Sequence, residues 1–123
     1  MTAPNLLSPT TITGKTVADA VGATDTTILS NASGSNKVLK VNSLIVSNVD
    51  GTNACDLTVK HYSAASLGGT GRSVCSTVSV PADASIVVID RSSAIYLEED
   101  KSLGCLASAA GDLEFVCSYE EIS

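Results

Sequence analysis

Aromatic side chains are nearly missing from this chain: its 123 residues hold no tryptophan, one phenylalanine and three tyrosines. A core must therefore be filled by Val, Ile, Leu and Ala, which bury less area per residue than rings do. A sugar-cleaving groove, which needs aromatic platforms beside its carboxylate pair, is short of material. Histidine is scarcer still. His61 is the only one, and no carboxylate is placed beside it to make a catalytic pair. Long apolar runs are absent too: Ile86–Ile89 is four residues, far below a membrane-spanning length, so no membrane partner is expected. Positive charge is in deficit. Seven bases against thirteen acids give a formal charge of −6, the opposite of the basic footprint that binds a phosphate backbone, so nucleic acid is not expected as a partner either. The opening Met1-Thr2-Ala3-Pro4-Asn5-Leu6-Leu7 lacks a basic leader followed by an apolar stretch. It reads as the start of a chain made and folded in the cytosol.

The four cysteines, Cys55, Cys75, Cys105 and Cys117, include no close pair. Zinc sites favour short Cys-x-x-Cys pairs that set two ligands on one turn, so no metal and no other cofactor is expected. Each cysteine stands within or beside a strand-like run, as a small hydrophobe would. Reduced core thiols and a single structural disulfide both remain open at this point.

What is present is β-branched sequence in short runs. Segments at 11–21, 26–30, 37–49, 55–63, 73–80, 85–90, 94–98, 102–108 and 112–121 read as strands, bounded by Gly, Asn, Asp, Ser and Pro clusters. In the last, Leu113, Phe115, Cys117 and Tyr119 take one face while Glu114, Val116, Ser118 and Glu120 take the other, the mark of a strand wet on one side. Segment 55–63 repeats this, with Cys55, Leu57, Val59 and His61 inward and Asp56, Thr58, Lys60 and Tyr62 outward. Segment 37–49 changes parity near Asn42-Ser43, as a β-bulge would produce. The expected fold is all-β: one antiparallel two-sheet β-sandwich over residues 11–123, jelly-roll-like or immunoglobulin-like. Residues 1–10, with Pro4 and Pro9 and no charge, read as an extended N-terminal arm.

Acids and bases balance at five each through residue 89, whereas residues 90–123 carry eight acids and two bases. An acidic end or edge is expected there, serving solubility and steering. Several chemical motifs fail on inspection. Gly14-Lys15-Thr16 lacks the first glycine of a phosphate-binding loop, since position 9 is proline, and no helix follows. Gly68-Gly69-Thr70-Gly71 lies between two strands and reads as a mobile hairpin tip. Serine and threonine make nearly a quarter of the chain, yet none sits in a Gly-x-Ser-x-Gly elbow. Glu98-Glu99-Asp100 reads as a surface turn. No catalytic, cofactor or metal residue is expected, and the chain is read as non-enzymatic.

A family resemblance rests on the order of segments across about residues 26–123. Asn31 to Asn36 leads into a long strand, Lys37 to Asn48, which ends in an asparagine and a hairpin, Asp50-Gly51-Thr52-Asn53-Ala54. An alternating strand Cys55 to Tyr62 follows, then a proline turn before an apolar strand, Val80-Pro81-Ala82-Asp83-Ala84-Ser85-Ile86-Val87-Val88-Ile89. Tyr96 to Leu103, Ala107 to Leu113 and a terminal Ser118-Tyr119-Glu120-Glu121-Ile122-Ser123 complete the series. This order resembles small structural proteins of tailed-bacteriophage virions, of the marine cyanophage type. The resemblance implies a non-enzymatic virion protein assembled in the host bacterial cytoplasm. Its expected place is the head exterior, as a decoration or cement protein that binds the major capsid protein or other virion proteins and itself as a homo-oligomer. A trimer would match the three-fold positions of an icosahedral shell. A neck, collar, tail or fibre-base protein is the alternative, and a receptor or glycan-binding module with loops 31–36 and 65–72 as its tips is a further one. The residues expected to bind a partner are those of the arm, Thr2, Ala3, Pro4, Asn5, Leu6, Leu7, Ser8, Pro9 and Thr10, which could add a strand to a neighbour's open sheet edge.

Overall fold

The computed structural model describes residues 4–123. Nine strands form among the described residues, eight within a residue of the segments read from the sequence and the fifth starting five residues earlier: β1 Ile12–Ala20, β2 Thr26–Asn31, β3 Val38–Asn48, β4 Cys55–Ala64, β5 Gly68–Val80, β6 Ser85–Ile89, β7 Ile95–Leu97, β8 Lys101–Ala107 and β9 Leu113–Ile122. A single 3-10 turn, Arg91–Ser93, separates β6 from β7, started by the Asp90 carboxylate, which accepts the Ser92 and Ser93 N–H groups. Five strands make one sheet in the order β1-β9-β3-β6, with β7 also on β3, and four make the other in the order β2-β8-β4-β5. Every pairing is antiparallel.

The pairing is nested: first strand with last, β2 with β8, β3 with β6, β4 with β5. A long hairpin rolled so that successive pairs fall in alternate sheets gives this order, which is the jelly-roll arrangement and not the immunoglobulin one. Between the sheets lies one apolar cluster that includes Phe115, Leu44, Leu57, Leu97, Leu103, Leu113 and Ile89, with Cys55, Cys105 and Cys117 among them. Aliphatic side chains and thiols thus fill the space around one ring.

The expected bulge is present. The β3–β9 register shifts between Val41 and Ser43, and the displaced Asn42 donates its amide to the Glu120 carboxylate at 2.9 Å. One expectation needs correction: Gly68–Gly71 belongs to β5 and is no hairpin tip. The tip lies just before it, where Gly68 N–H donates to Ala65 C=O and the central residues Ser66 and Leu67 both take left-handed φ, 55° and 59°. Non-glycine residues adopt this turn only where surroundings hold them. Here Leu67 N–H donates to Ser102 Oγ, and the Leu67 side chain lies over Gly104, where an added Cβ would meet it at 2.6 Å. Gly71 is similarly required, because a Cβ there would sit 2.8 Å from the Tyr62 ring. Tyr62 lies on the outward row as expected but is not wet; it is only 7% exposed. Burial pushes its hydroxyl pKa up, and the adjacent Asp25 carboxylate adds to this.

Two buried asparagines tie the sheets together. Asn31, closing β2, donates its amide to the carbonyls of Lys37 and of Leu97 in β7, each at 2.9 Å, and accepts from Ser35 Oγ. Asn48, closing β3, donates to the carbonyls of Asn53 and of Val80 in β5, each at 2.9 Å, and accepts from Asp50 N–H. Both staples therefore cross from one sheet to the other. Replacing Asn48 by Ala strands the buried Val80 carbonyl and frees the half-buried Asn53 carbonyl, and should cost about 2–3 kcal/mol in urea unfolding. Asn48→Asp should cost more, since it aims a buried negative charge, with no donor, at the two carbonyl oxygens. Losses under about 0.5 kcal/mol for both would show that the staple carries no stability.

Candidate assembly surfaces

The arm is the first of the expected sites. Thr2 and Ala3 lie outside the described residues. Pro4 to Thr10 forms no strand and bends once: Asn5 Oδ1 accepts the Leu7 N–H at 3.0 Å and Asn5 C=O accepts the Ser8 N–H at 3.0 Å. An asparagine bonding two residues ahead makes such a turn locally, without tertiary help. Leu7 is 95% exposed at its crest, with Leu6 beside it. The stretch is anchored at its far end, where the Thr10 and Thr11 N–H groups converge on Ser123 C=O and Ser123 N–H returns to Thr11 C=O.

The second surface was not visible in the sequence. On the outer face of the five-stranded sheet, Val116 stands opposite Ile45 and Ile45 opposite Val87, and Ala18 completes the row on β1. Val87 is 62% exposed, Val116 45% and Ile45 38%, so an apolar stripe crosses the face from edge to edge. Scattered exposed valines are ordinary, but a contiguous row marks a contact surface. Sequence alternation assigned Val116 outward, yet only the cross-strand register aligns it with Ile45 and Val87.

The acids of β9 spread along the strand rather than gather at one of its ends. Glu114 stands opposite Ala20 and Glu121 opposite Thr13, at the two ends of the β1–β9 ladder. Glu121 accepts from Lys15 at 3.0 Å and Lys37 at 3.3 Å, and the Lys15 hydrogen bond is the main reason its pKa is lowered. Glu99 accepts the Gly34 N–H and Asp100 the Ala65 N–H. Glu98-Glu99-Asp100 is thus a turn, as read, whose last two carboxylates knit loops 31–36 and 65–67 together. Of the expected tips of a glycan module, 31–36 and 65–72, the first is thereby held beside the start of the second, whose residues 68–72 belong to β5. Among the described residues, no group of three or more His, Cys, Asp or Glu side chains could hold a metal ion.

A shallow cavity of about 350 Å3 is lined by Ala18, Asp19, Ala20, Glu114, Phe115 and Val116. Its two carboxylates project to opposite faces, since Asp19 shares the inward row with Phe115 and Glu114 the outward row with Ala20, so they cannot work as an acid–base pair. His61, half-buried at its strand end opposite Leu103, sits far along the other sheet. Among the described residues, no helix is long and apolar enough to cross a membrane.

All four cysteines are free thiols. Cys75 and Cys105 both face Val59, one from each side. They are separated by two strand spacings, roughly 9–10 Å, beyond the reach of a disulfide of about 7 Å between Cα atoms. Burial pushes Cys105 and Cys117 up to about 12 and raises Cys75 as well.

No family model matches the chain, and no curated protein matches it in sequence. Among solved structures, the chain is similar to a subunit of Bacillus endospore appendages, which form a family of disulfide-linked pili. The TM-score is 0.52 at 18% identity, over 92% of this chain and 88% of that one. It aligns more loosely with the VP2 subviral particle of infectious bursal disease virus, at TM-score 0.42 and 15% identity, over 94% of this chain and 33% of that one. The first likeness shows a shared fold.

The thiol chemistry is directly testable. A thiol with a pKa of about 12 is ionised in only about one molecule in ten thousand at pH 8. In the native protein iodoacetamide should therefore spare Cys105 and Cys117 and reach the half-exposed Cys75 first, and all four should react after unfolding. Rapid native labelling of Cys117, read by mass spectrometry, would contradict its place in the core.

Proposed function

We propose that this chain is a non-enzymatic structural protein of a tailed-phage particle, a decoration or cement protein that binds the head exterior as a homo-oligomer. The observation that carries the reading is the arm: Pro4 to Thr10 leaves the sandwich from a fixed anchor at Ser123 and holds Leu6 and Leu7 out to solvent. Covering an aliphatic pair held outside the core would remove apolar area from water and so favour association. The open sheet edge of a neighbouring virion protein would satisfy the arm's backbone and cover these leucines together. The resemblance in segment order supplies the particle, and the jelly-roll supplies a rigid body to hold the arm. Assembly would follow folding in the bacterial cytoplasm. Major capsid protein or another virion protein is the proposed partner, with a trimer as the proposed copy arrangement.

A neck or tail position uses the same arm and the same body and differs in copy number. In purified particles, quantitative mass spectrometry should give this chain within a few-fold of the major capsid protein. A ratio tens of times lower would move it to the neck or tail, and absence would overturn the virion reading. Deleting residues 2–10 should abolish attachment while leaving cooperative unfolding intact, because β1 begins at Ile12. Attachment retained by that variant would dismiss the arm.

A further inference from the structure

β1 differs from every other strand in its surroundings. It pairs with β9 alone, and eight of its nine residues are exposed. It overhangs the facing sheet, so its inward row, Thr13, Lys15, Val17 and Asp19, is left largely uncovered. Its register with β9 is unbroken over nine pairs. The other edges are irregular: β5 shifts register at three places and β2 at one, while β6 and β7 are five and three residues long. Long, regular and open, β1 is the edge on which another strand can build.

The direction of its free backbone groups follows from its ends. Thr11 and Ser123 exchange both hydrogen bonds, and Val21 N–H donates to Leu113 C=O. Odd-numbered residues therefore bond to β9, and Ile12, Gly14, Thr16, Ala18 and Ala20 turn their N–H and C=O groups to the free edge, as antiparallel alternation requires.

We infer that this edge pairs with β1 of a second copy, antiparallel, about a two-fold axis through Val17. In that register Thr16 meets Ala18 and Gly14 meets Ala20 as hydrogen-bonded pairs. Lys15 meets Asp19, and Val17 meets Val17, as non-hydrogen-bonded pairs, the kind in which side chains approach most closely. Charge selects the register. Within one chain Lys15 and Lys37 both converge on the single Glu121 carboxylate, which leaves a surplus positive charge for Asp19 of the second copy to neutralise. Asp19 has no cation within salt-bridge distance among the described residues; its carboxylate only accepts the neighbouring Ala20 N–H. A two-fold on Thr16 would set Lys15 against Val17, and one on Lys15 would set lysine against lysine, so only the Val17 axis matches the charges. The result is one continuous sheet across two subunits. Its outer face sets the two apolar stripes side by side, offset by two residues where each Ala18 meets Thr16, and its inner seam lays Lys15 of the second copy beside the Asp19–Phe115 cavity.

This inference rests on the reading of the chain as an assembly subunit, and names a contact distinct from the arm. The test is sedimentation equilibrium of the full chain up to about 0.1 mM. Wild type should dimerise. Asp19→Lys and Lys15→Glu should each weaken the dimer at least about tenfold by opposing like charges, and the double variant should recover to within a few-fold because Glu then faces Lys. Ala18→Pro removes only an outward N–H and should abolish the dimer while thermal unfolding stays cooperative. A monomeric wild type, or an association indifferent to Ala18→Pro and to charge reversal, would overturn the edge pairing. The 2–10 deletion should keep the solution dimer; loss of association with that deletion but not with Ala18→Pro would discard the edge and leave the arm standing.

Discussion

Every jelly-roll must carry its chain repeatedly from one sheet to the other, and each crossing leaves backbone carbonyls beside the core with no ladder partner. Here that constraint is met by two side chains, Asn31 and Asn48. Each closes a strand, is 3% exposed and sends its amide to one carbonyl nearby and one on the opposite sheet. An amide is suited to this because it offers two donors for the carbonyls and an acceptor for the following turn. Serine could satisfy only one carbonyl, and aspartate none. The loops that follow, 32–37 and 49–54, carry the chain across to the other sheet and are held by these same side chains, through Ser35 on Asn31 and Asp50 on Asn48. Asp50 extends the second by accepting the Thr52 and Asn53 N–H groups, which hold its carboxyl below the usual range.

Much of this was legible in the sequence, because a strand wet on one side writes its own period. The alternation in β9 and β4 located the inward rows, and the change of parity near Asn42-Ser43 located the bulge. Pairing partners were not legible. Nine strands of similar composition allow many orders, and nested pairing joins residues as distant as Ile12 and Ile122, about which local pattern says nothing. The choice between jelly-roll and immunoglobulin order was therefore open until the ladders were known. The apolar stripe failed for the same reason: Val116, Ile45 and Val87 come from three strands and meet only through register.

The turn before β5 failed for a different reason. Glycine is the usual sign of left-handed backbone, so Gly68–Gly71 read as a tip. In the folded chain those glycines mostly answer to packing. The ring of Tyr62 lies where a Cβ of Gly71 would be, and Leu67 lies where a Cβ of Gly104 would be. By leaving room on the outer face, the glycines let a tyrosine and a leucine cover the far end of the second sheet, and that cover in turn holds Ser66 and Leu67 in a turn they would not choose alone. Tertiary contact has overridden local preference. The same cover explains why Tyr62 is buried on a row that pattern alone makes wet.

Edges complete the argument. A two-sheet sandwich has four of them, and each exposes backbone that can recruit another chain. On the second sheet, β5 breaks its register three times, with Thr77 forced to φ 52° at one of the breaks, and β2 breaks once. On the first sheet, the far side of β3 is shared by two short strands divided by the Asp90-capped turn. Such interruptions cost backbone strain or lost hydrogen bonds, and they recur at three edges. β1 carries none of them, although its neighbour β9 would tolerate a bulge as it does on its β3 side. Its inward row also carries Lys15 and Asp19 where a covered strand would carry aliphatics. A strand left straight, uncovered and oppositely charged at positions four apart is composed for an antiparallel partner with the same sequence, and the sandwich supplies the rigid frame that keeps it straight.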